Sequence, residues 1–158
     1  MDKIILGVDP GTRITGYALI KMVFSSYQVV DFGCIKPPPK LPLSKRYLII
    51  FDSISSLIDQ HSPQFLSVET QFVGKNAQSA LKLGMARGAV ILAAEKKGLD
   101  VHEYAPKKAK LSITGNGGAS KIQVQKMVQR ILSLSTLPEP EDAADALAIA
   151  VCHAHQLS

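Results

Sequence analysis

Hydrophobic residues follow two different periods along the chain. Residues 4–8 form an unbroken apolar run, the pattern of a central strand covered on both faces, and Pro10-Gly11 forces a turn behind it. Residues 16–20 and 27–32 predict two more strands, joined near Ser25-Ser26 as an antiparallel hairpin or meander. Pro37-Pro38-Pro39 cannot occupy a central ladder and marks a stiff connection. Ser44 is placed to cap a helix on which Tyr47, Ile50, Ile54, Leu57 and Ile58 recur at helical spacing, with Pro63 beyond its end.

A short strand follows at residues 65–69, then a helix over residues 76–97. Ala77, Ala80, Leu81, Gly84, Gly88 and Ile91 form one face of that helix, small in its middle. Two interior glycines cost a helix about 1 kcal/mol each against alanine, so another element should approach closely there. Tight packing on the chain's own sheet and a dimer interface explain them equally well. Residues 101–104 predict a last strand. Lys107-Lys108-Ala109-Lys110 opens a basic segment leading into a mobile Gly115-Asn116-Gly117-Gly118 loop. Ser120-x-x-Gln123 matches a capping box, before a stripe of Val124, Met127, Val128, Ile131 and Leu134. The closing helix, residues 141–153, is apolar on nearly every side apart from its acids, hence buried.

These alternating elements predict an α/β protein, and 158 residues suit a single domain, 1–158. Cys34 and Cys152 lie far apart with no C-x-x-C spacing, so neither a disulfide framework nor a zinc site is expected, and reduced cytoplasmic thiols are. The opening residues do not read as a signal peptide, and no apolar run is long enough to span a membrane.

Four carboxylates interrupt this hydrophobic pattern. Asp9 ends the first strand and Glu69 the fourth, while Asp142 and Asp145 lie at i,i+3 on one edge of the final helix. Carboxylates on buried elements are expensive to desolvate unless something compensates them, and a group of them implies divalent metal with oxygen ligands, the usual chemistry of phosphate ester cleavage. Each has a plainer reading to set beside this. Asp9 could close an Asp-Pro-Gly turn by bonding backbone amides, and Asp142, like Glu139 and Glu141, could answer a helix dipole. Asp145, among alanines a turn further in, and Glu69, which is neither a turn former nor a strand former, are harder to explain structurally. If residues 4–8 and 65–69 run parallel, Asp9 and Glu69 emerge together at the carboxyl edge of the sheet, where open α/β folds bind ligands. The formal charge of +5 then gains meaning, because basic residues can hold a phosphate backbone while the acids hold metal.

Strand Asp, strand Glu and helical Asp-x-x-Asp, in this order, resemble the ribonuclease H-like nucleases and, more closely, the RuvC family of bacterial Holliday junction resolvases. The resemblance rests on residues 5–13 (ILGVDPGTR), Thr15-Gly16-Tyr17, Val68-Glu69, Lys75-Asn76-Ala77, residues 79–84 (SALKLG), Ala86-Arg87-Gly88, Glu103-Tyr104-Ala105-Pro106, Gln123-Val124-Gln125 and residues 142–150 (DAADALAIA). It implies a mixed five-stranded sheet with helices on both faces. It also implies metal-dependent, paired and symmetric cleavage of four-way junction DNA by a homodimer, in recombination and repair, with cooperation from a branch-migration helicase complex of the RuvA and RuvB type. Asp9, Glu69, Asp142 and Asp145 take the place of the family's catalytic acids, holding two Mg²⁺ or Mn²⁺ ions. Lys110 and Lys121 match family lysines near the scissile phosphate; two solvated lysines are the plainer reading.

Phe72 matches an aromatic that stacks on an unpaired base near the crossover, and a core phenylalanine is its alternative. Lys75, Lys82, Arg87, Lys107 and Lys108 are further candidates for backbone contacts, against a solvated surface. His153 and His155 suit a helix C-terminus, where cations are favoured, better than metal binding. The proline run and the short tail after the last helix depart from the family pattern. Three rivals fit less well. A two-lobed ATP-binding fold would need a second glycine turn. A non-catalytic junction-binding module leaves the four acids unexplained, and a hybrid ribonuclease leaves residues 76–88 without a role.

Overall fold

The computed structural model describes residues 2–70 and 76–158. In chain order the elements are β1 (Lys3–Asp9), β2 (Thr15–Val23), β3 (Ser26–Ile35), α1 (Leu43–His61), β4 (Phe65–Glu69), α2 (Ala77–Lys96), β5 (Asp100–Tyr104), α3 (Pro106–Thr114), α4 (Lys121–Ile131) and α5 (Glu141–Leu157). The strands form one sheet in the order β3-β2-β1-β4-β5. β1–β2 and β2–β3 are antiparallel, β1–β4 and β4–β5 parallel, so the sheet is mixed, as expected.

The period of two along the strands divides the core. Leu6, Val8, Leu19, Leu66 and Val68 face Tyr47, Ile50, Ile54 and Ile58 of α1 and Ala86, Val90, Ala93 and Ala94 of α2. Ile5, Ala18 and Ile20 face the other way, onto Ala146, Leu147, Ala150, Val151 and Ala154 of α5, with Val128 of α4 and Ile113 of α3 behind. Helices therefore cover both faces. β1 is buried on both sides, which is why it reads as an unbroken apolar run.

The structure corrects several local expectations. Ser44 does not cap α1; Pro42 stands at the N-cap, and its carbonyl accepts from the Lys45 and Arg46 amides. Proline carries no side-chain oxygen, so no side-chain cap forms at this helix start. Asn76 caps α2 instead, accepting from the Gln78 and Ser79 amides. The first half of the small-residue face is not packed on the sheet. A Cβ on Gly84 or Gly88 would meet nothing within 4 Å, and Leu81 is exposed. α3 lies where a basic segment was read, starting at Pro106 and closed by Gly115 in the left-handed region. The capping box at Ser120 is present in both directions. α5 runs four residues past His153 and buries that ring, so the helix-end explanation fails for it.

Candidate active site

Asp9 and Glu69 are the last residues of neighbouring parallel strands, with Val8 level with Val68. Both acids therefore leave the sheet at the same edge. α5 crosses that edge closely because two glycines let it. A Cβ on Gly7 would strike the Ala146 carbonyl and come within 2.7 Å of the Ala150 Cβ; one on Gly16 would strike the Asp142 carbonyl. Gly16 is the β2 partner of Asp9, so this contact sets the Asp142 backbone beside Asp9. Ser67 of β4 adds a buried bond, its hydroxyl donating to the Ile149 carbonyl at 2.6 Å. Sequence reading found the acids but missed Gly7, Gly16 and Ser67. Their only signals are small or polar residues inside runs that are otherwise apolar.

Electrostatics record how closely the acids approach one another. Burial, a hydrogen bond with Glu69 and the charges of Glu69 and Asp142 push Asp9 up to about 8, only partly relieved by Lys121. Burial pushes Asp145 up to about 6, with the Asp9 and Glu141 charges adding to it and Lys121 opposing. Lys121 Nζ lies 3.1 Å from Asp145 Oδ2 and 2.8 Å from Glu141 Oε1. Burial works against the ammonium, but these two carboxylates hold it above its usual value. Glu141 is correspondingly drawn down by Lys121. The sequence had offered Glu141 only as a dipole partner, whereas it shares Lys121 with Asp145.

Among the described residues, no three His, Cys, Asp or Glu side chains form a ready-made ligand group. What converges is an all-oxygen set of four acids along one sheet edge, with Asp9 buried and crowded by negative charge. That donor set and charge excess suit a hard divalent cation.

A cavity of about 230 Å³ opens beside the acids, lined by Glu69, Asp145, Lys110, Lys121 and the apolar Val124 and Ile149. Both lysines singled out in the sequence thus border the carboxylates. Lys82 lines a separate groove that also reaches Asp142. The other cations have different surroundings: Arg87 lies 3.9 Å from Glu103, Lys108 sits over the Tyr104 ring, and the Lys107 stem would meet a Cβ on Gly117. Phe72 and Lys75 lie outside the described residues. His153 is buried beneath the sheet edge, its Nδ1 2.6 Å from the Tyr104 hydroxyl and its ring stacked on His102. Cys34 and Cys152 are free thiols, and no helix among the described residues is long and apolar enough to cross a membrane.

A mixed sheet of this order, with carboxylates ending two central parallel strands and a further pair on a helix packed across their edge, defines a nuclease of the ribonuclease H-like class. The family model for "Crossover junction endodeoxyribonuclease RuvC" matches residues 5–153. A crossover junction endodeoxyribonuclease RuvC from Protochlamydia amoebophila is 60% identical over 151 residues, covering 96% of this chain and 90% of the relative. The structure of Thermus thermophilus RuvC in complex with a Holliday junction substrate superposes with a TM-score of 0.93 at 32% identity, covering 98% and 94% of the two chains. The yeast mitochondrial Holliday junction resolvase Ydc2 shares the fold, with a TM-score of 0.68 at 16% identity over 96% of this chain and 78% of its own. The chain belongs to the RuvC family of crossover junction endodeoxyribonucleases, enzymes that hydrolyse phosphodiester bonds.

Proposed function

We propose that this chain resolves four-way DNA junctions by paired, symmetric hydrolysis, with Asp9, Glu69, Asp142 and Asp145 as its metal-binding acids. The observation that carries the assignment is the meeting of β1, β4 and α5 at one edge, which brings acids from three distant parts of the chain together. The four carboxylates would hold two Mg²⁺ ions, for which Mn²⁺ can substitute. When bound, such ions supply charge neutralisation at the phosphate and a water of lowered pKa.

The chain's own residues do the positioning. Lys110 and Lys121, on the wall of the cavity beside the acids, attract the phosphate by charge. Lys121 already spans Glu141 and Asp145, so it can exchange a carboxylate oxygen for a phosphate oxygen with little motion. Burial of Asp9 under α5 keeps bulk water from one side of the cluster. Holding nucleophile, phosphate and acids in line is the main source of rate in such hydrolysis. The products carry a 5′-phosphate and a 3′-hydroxyl.

The junction as substrate is supported by the similar Thermus thermophilus RuvC, whose structure contains one. Base stacking by Phe72 and backbone contacts from Lys75, Lys82, Arg87, Lys107 and Lys108 belong to the same proposal. So do single-domain organisation, a homodimer, cooperation with a helicase complex of the RuvA and RuvB type, and a cytoplasmic setting.

The test incubates purified protein with a mobile four-way junction, linear duplex or RNA–DNA hybrid, each with Mg²⁺ or EDTA. Paired nicks in the junction alone, dependent on Mg²⁺ and absent from the Asp9→Asn variant, are the expected result. Tight junction binding without cleavage under Mg²⁺ or Mn²⁺ would overturn the catalytic assignment.

A further inference from the structure

Arg46 is an unusual tenant of the core. It lies on α1 and is 9% exposed, yet it makes no ion pair among the described residues. Its Nη2 donates to the Thr12 carbonyl, and its Nε is buried without a hydrogen-bond partner among the described residues. A guanidinium stays charged in a protein, and burying one without an acid is costly, where Met or Leu would fill the same volume freely. The Thr12 carbonyl that Arg46 holds belongs to the turn between β1 and β2, three residues after Asp9.

That turn is anchored a second time by Thr15. The fully buried Thr15 hydroxyl accepts from the Gly11 amide at 3.2 Å and donates to the Gly11 carbonyl at 3.0 Å. A Cβ on Gly11 would strike the Ile14 carbonyl, so only glycine permits this tightness. What the anchored turn presents outward is Arg13, exposed and without an ion pair among the described residues. Arg13 forms one wall of a groove of about 560 Å³; Ser79 and Lys82 of α2 line it too, and the groove reaches Asp142. Two cations and a hydroxyl leading to an acid suit a phosphodiester backbone. The cavity with Lys110 and Lys121 also borders the acids. The carboxylates thus adjoin two separate basic walls.

We propose that Arg13 grips a backbone phosphate of the strand being cut, and that Arg46 is the positioning residue that sets the Asp9–Arg13 turn for it. This inference rests on the nuclease reading above. A strand laid through both walls is held on either side of its scissile phosphate, and fixing the turn in advance spares the ordering cost at the moment of binding.

The test uses the full chain as wild type, Arg13→Ala, Arg46→Met and Arg46→Lys, measuring junction affinity against salt and the single-turnover cleavage rate at saturating protein. Arg13→Ala should weaken binding about 5- to 10-fold and flatten the logarithmic salt slope by about one. Arg46→Met should show the same loss of affinity and also cut the saturated rate at least tenfold; Arg46→Lys should recover part of both. If Arg46→Met changes only the melting temperature, and cleaves at the wild-type rate where it is folded, the positioning role is wrong. Unchanged affinity and salt slope in Arg13→Ala, a surface substitution that leaves the fold intact, overturn the proposal even if Arg46→Met does not fold. A wild-type protein that fails to cut junctions at all refutes instead the nuclease reading itself.

Discussion

Asp9 shows how one side chain carries both a cost to the fold and a function. It is buried, bonded to Glu69 and repelled by Asp142, which is why its proton is held up to about 8. Replacing it by Asn keeps the shape and removes one of the crowded charges. Without divalent metal, Asp9→Asn should therefore be more stable than wild type at pH 8, by about 1 to 2 kcal/mol in denaturant titrations. Adding Mg²⁺ should raise the wild-type melting temperature and leave the variant's almost unchanged, because a ligand stabilises only the fold that binds it.

Charge at strand ends made Asp9 and Glu69 legible from sequence. Nothing local marked Arg46, a cation at one position of an amphipathic helix that reads as solvated until the turn it holds is seen. His153 was misread for the same reason. Burial, then the neighbouring His102, lower its pKa from 6.5 to about 4, with Asp100 opposing. The unfolded chain takes up this proton below about pH 6.5 and the folded chain only near pH 4. Stability from the neutral ring is thus complete above pH 6.5 and lost as pH falls toward 4, by roughly 3 kcal/mol in all. Comparing unfolding free energies at pH 7 and pH 4.5 should show a smaller drop for His153→Phe than for wild type; equal drops exclude His153 as the source.

At the scale of elements, the sequence disclosed nine of the ten found among the described residues, because long apolar periods survive translation into structure. It missed α3, nine residues with three lysines, too short and too charged for a hydrophobic stripe to stand out. The crossing of α5 over β1 and β2 was also hidden, since it depends on what is missing at Gly7 and Gly16. Gly16→Ala forces a methyl onto the Asp142 carbonyl, a backbone atom that cannot yield without moving the helix. The variant should lose roughly 2 to 4 kcal/mol of stability. Its junction cleavage should fall more than tenfold under conditions where circular dichroism shows it folded, because Asp142 moves away from Asp9. Full activity in a folded Gly16→Ala protein means that the close crossing does not set the site.

At the scale of the whole molecule, α2 carries an apolar surface that the core of the described residues does not cover. On α2, Leu81, Met85 and Leu92 are 69%, 59% and 63% exposed, and Gly88 completes a stripe with steps of four, three and four residues. The face away from it, Ala86, Val90, Ala93 and Ala94, is the one that packs on the sheet. An apolar seam with a small residue in the middle fits close approach by a second helix, and an isologous pairing through this face brings two identical chains into twofold symmetry. Of the two explanations that the glycines allowed, packing on the chain's own sheet is excluded by the open space over Gly84 and Gly88. The proposed homodimer would give this stripe a partner, and a junction with two equivalent strands to cut is a substrate that suits it. If the proposed homodimer pairs through this stripe, changing Leu81 and Met85 together to Glu should leave the monomer fold intact, since both side chains are exposed, and shift wild-type dimer to monomer in analytical ultracentrifugation. Cleavage should then pass from paired nicks in one encounter to single nicks, seen in a supercoiled cruciform plasmid as accumulation of open circles before linear product. A variant that still sediments as a dimer places the interface elsewhere. One that is monomeric yet cuts both strands in a single encounter separates paired cleavage from this seam altogether.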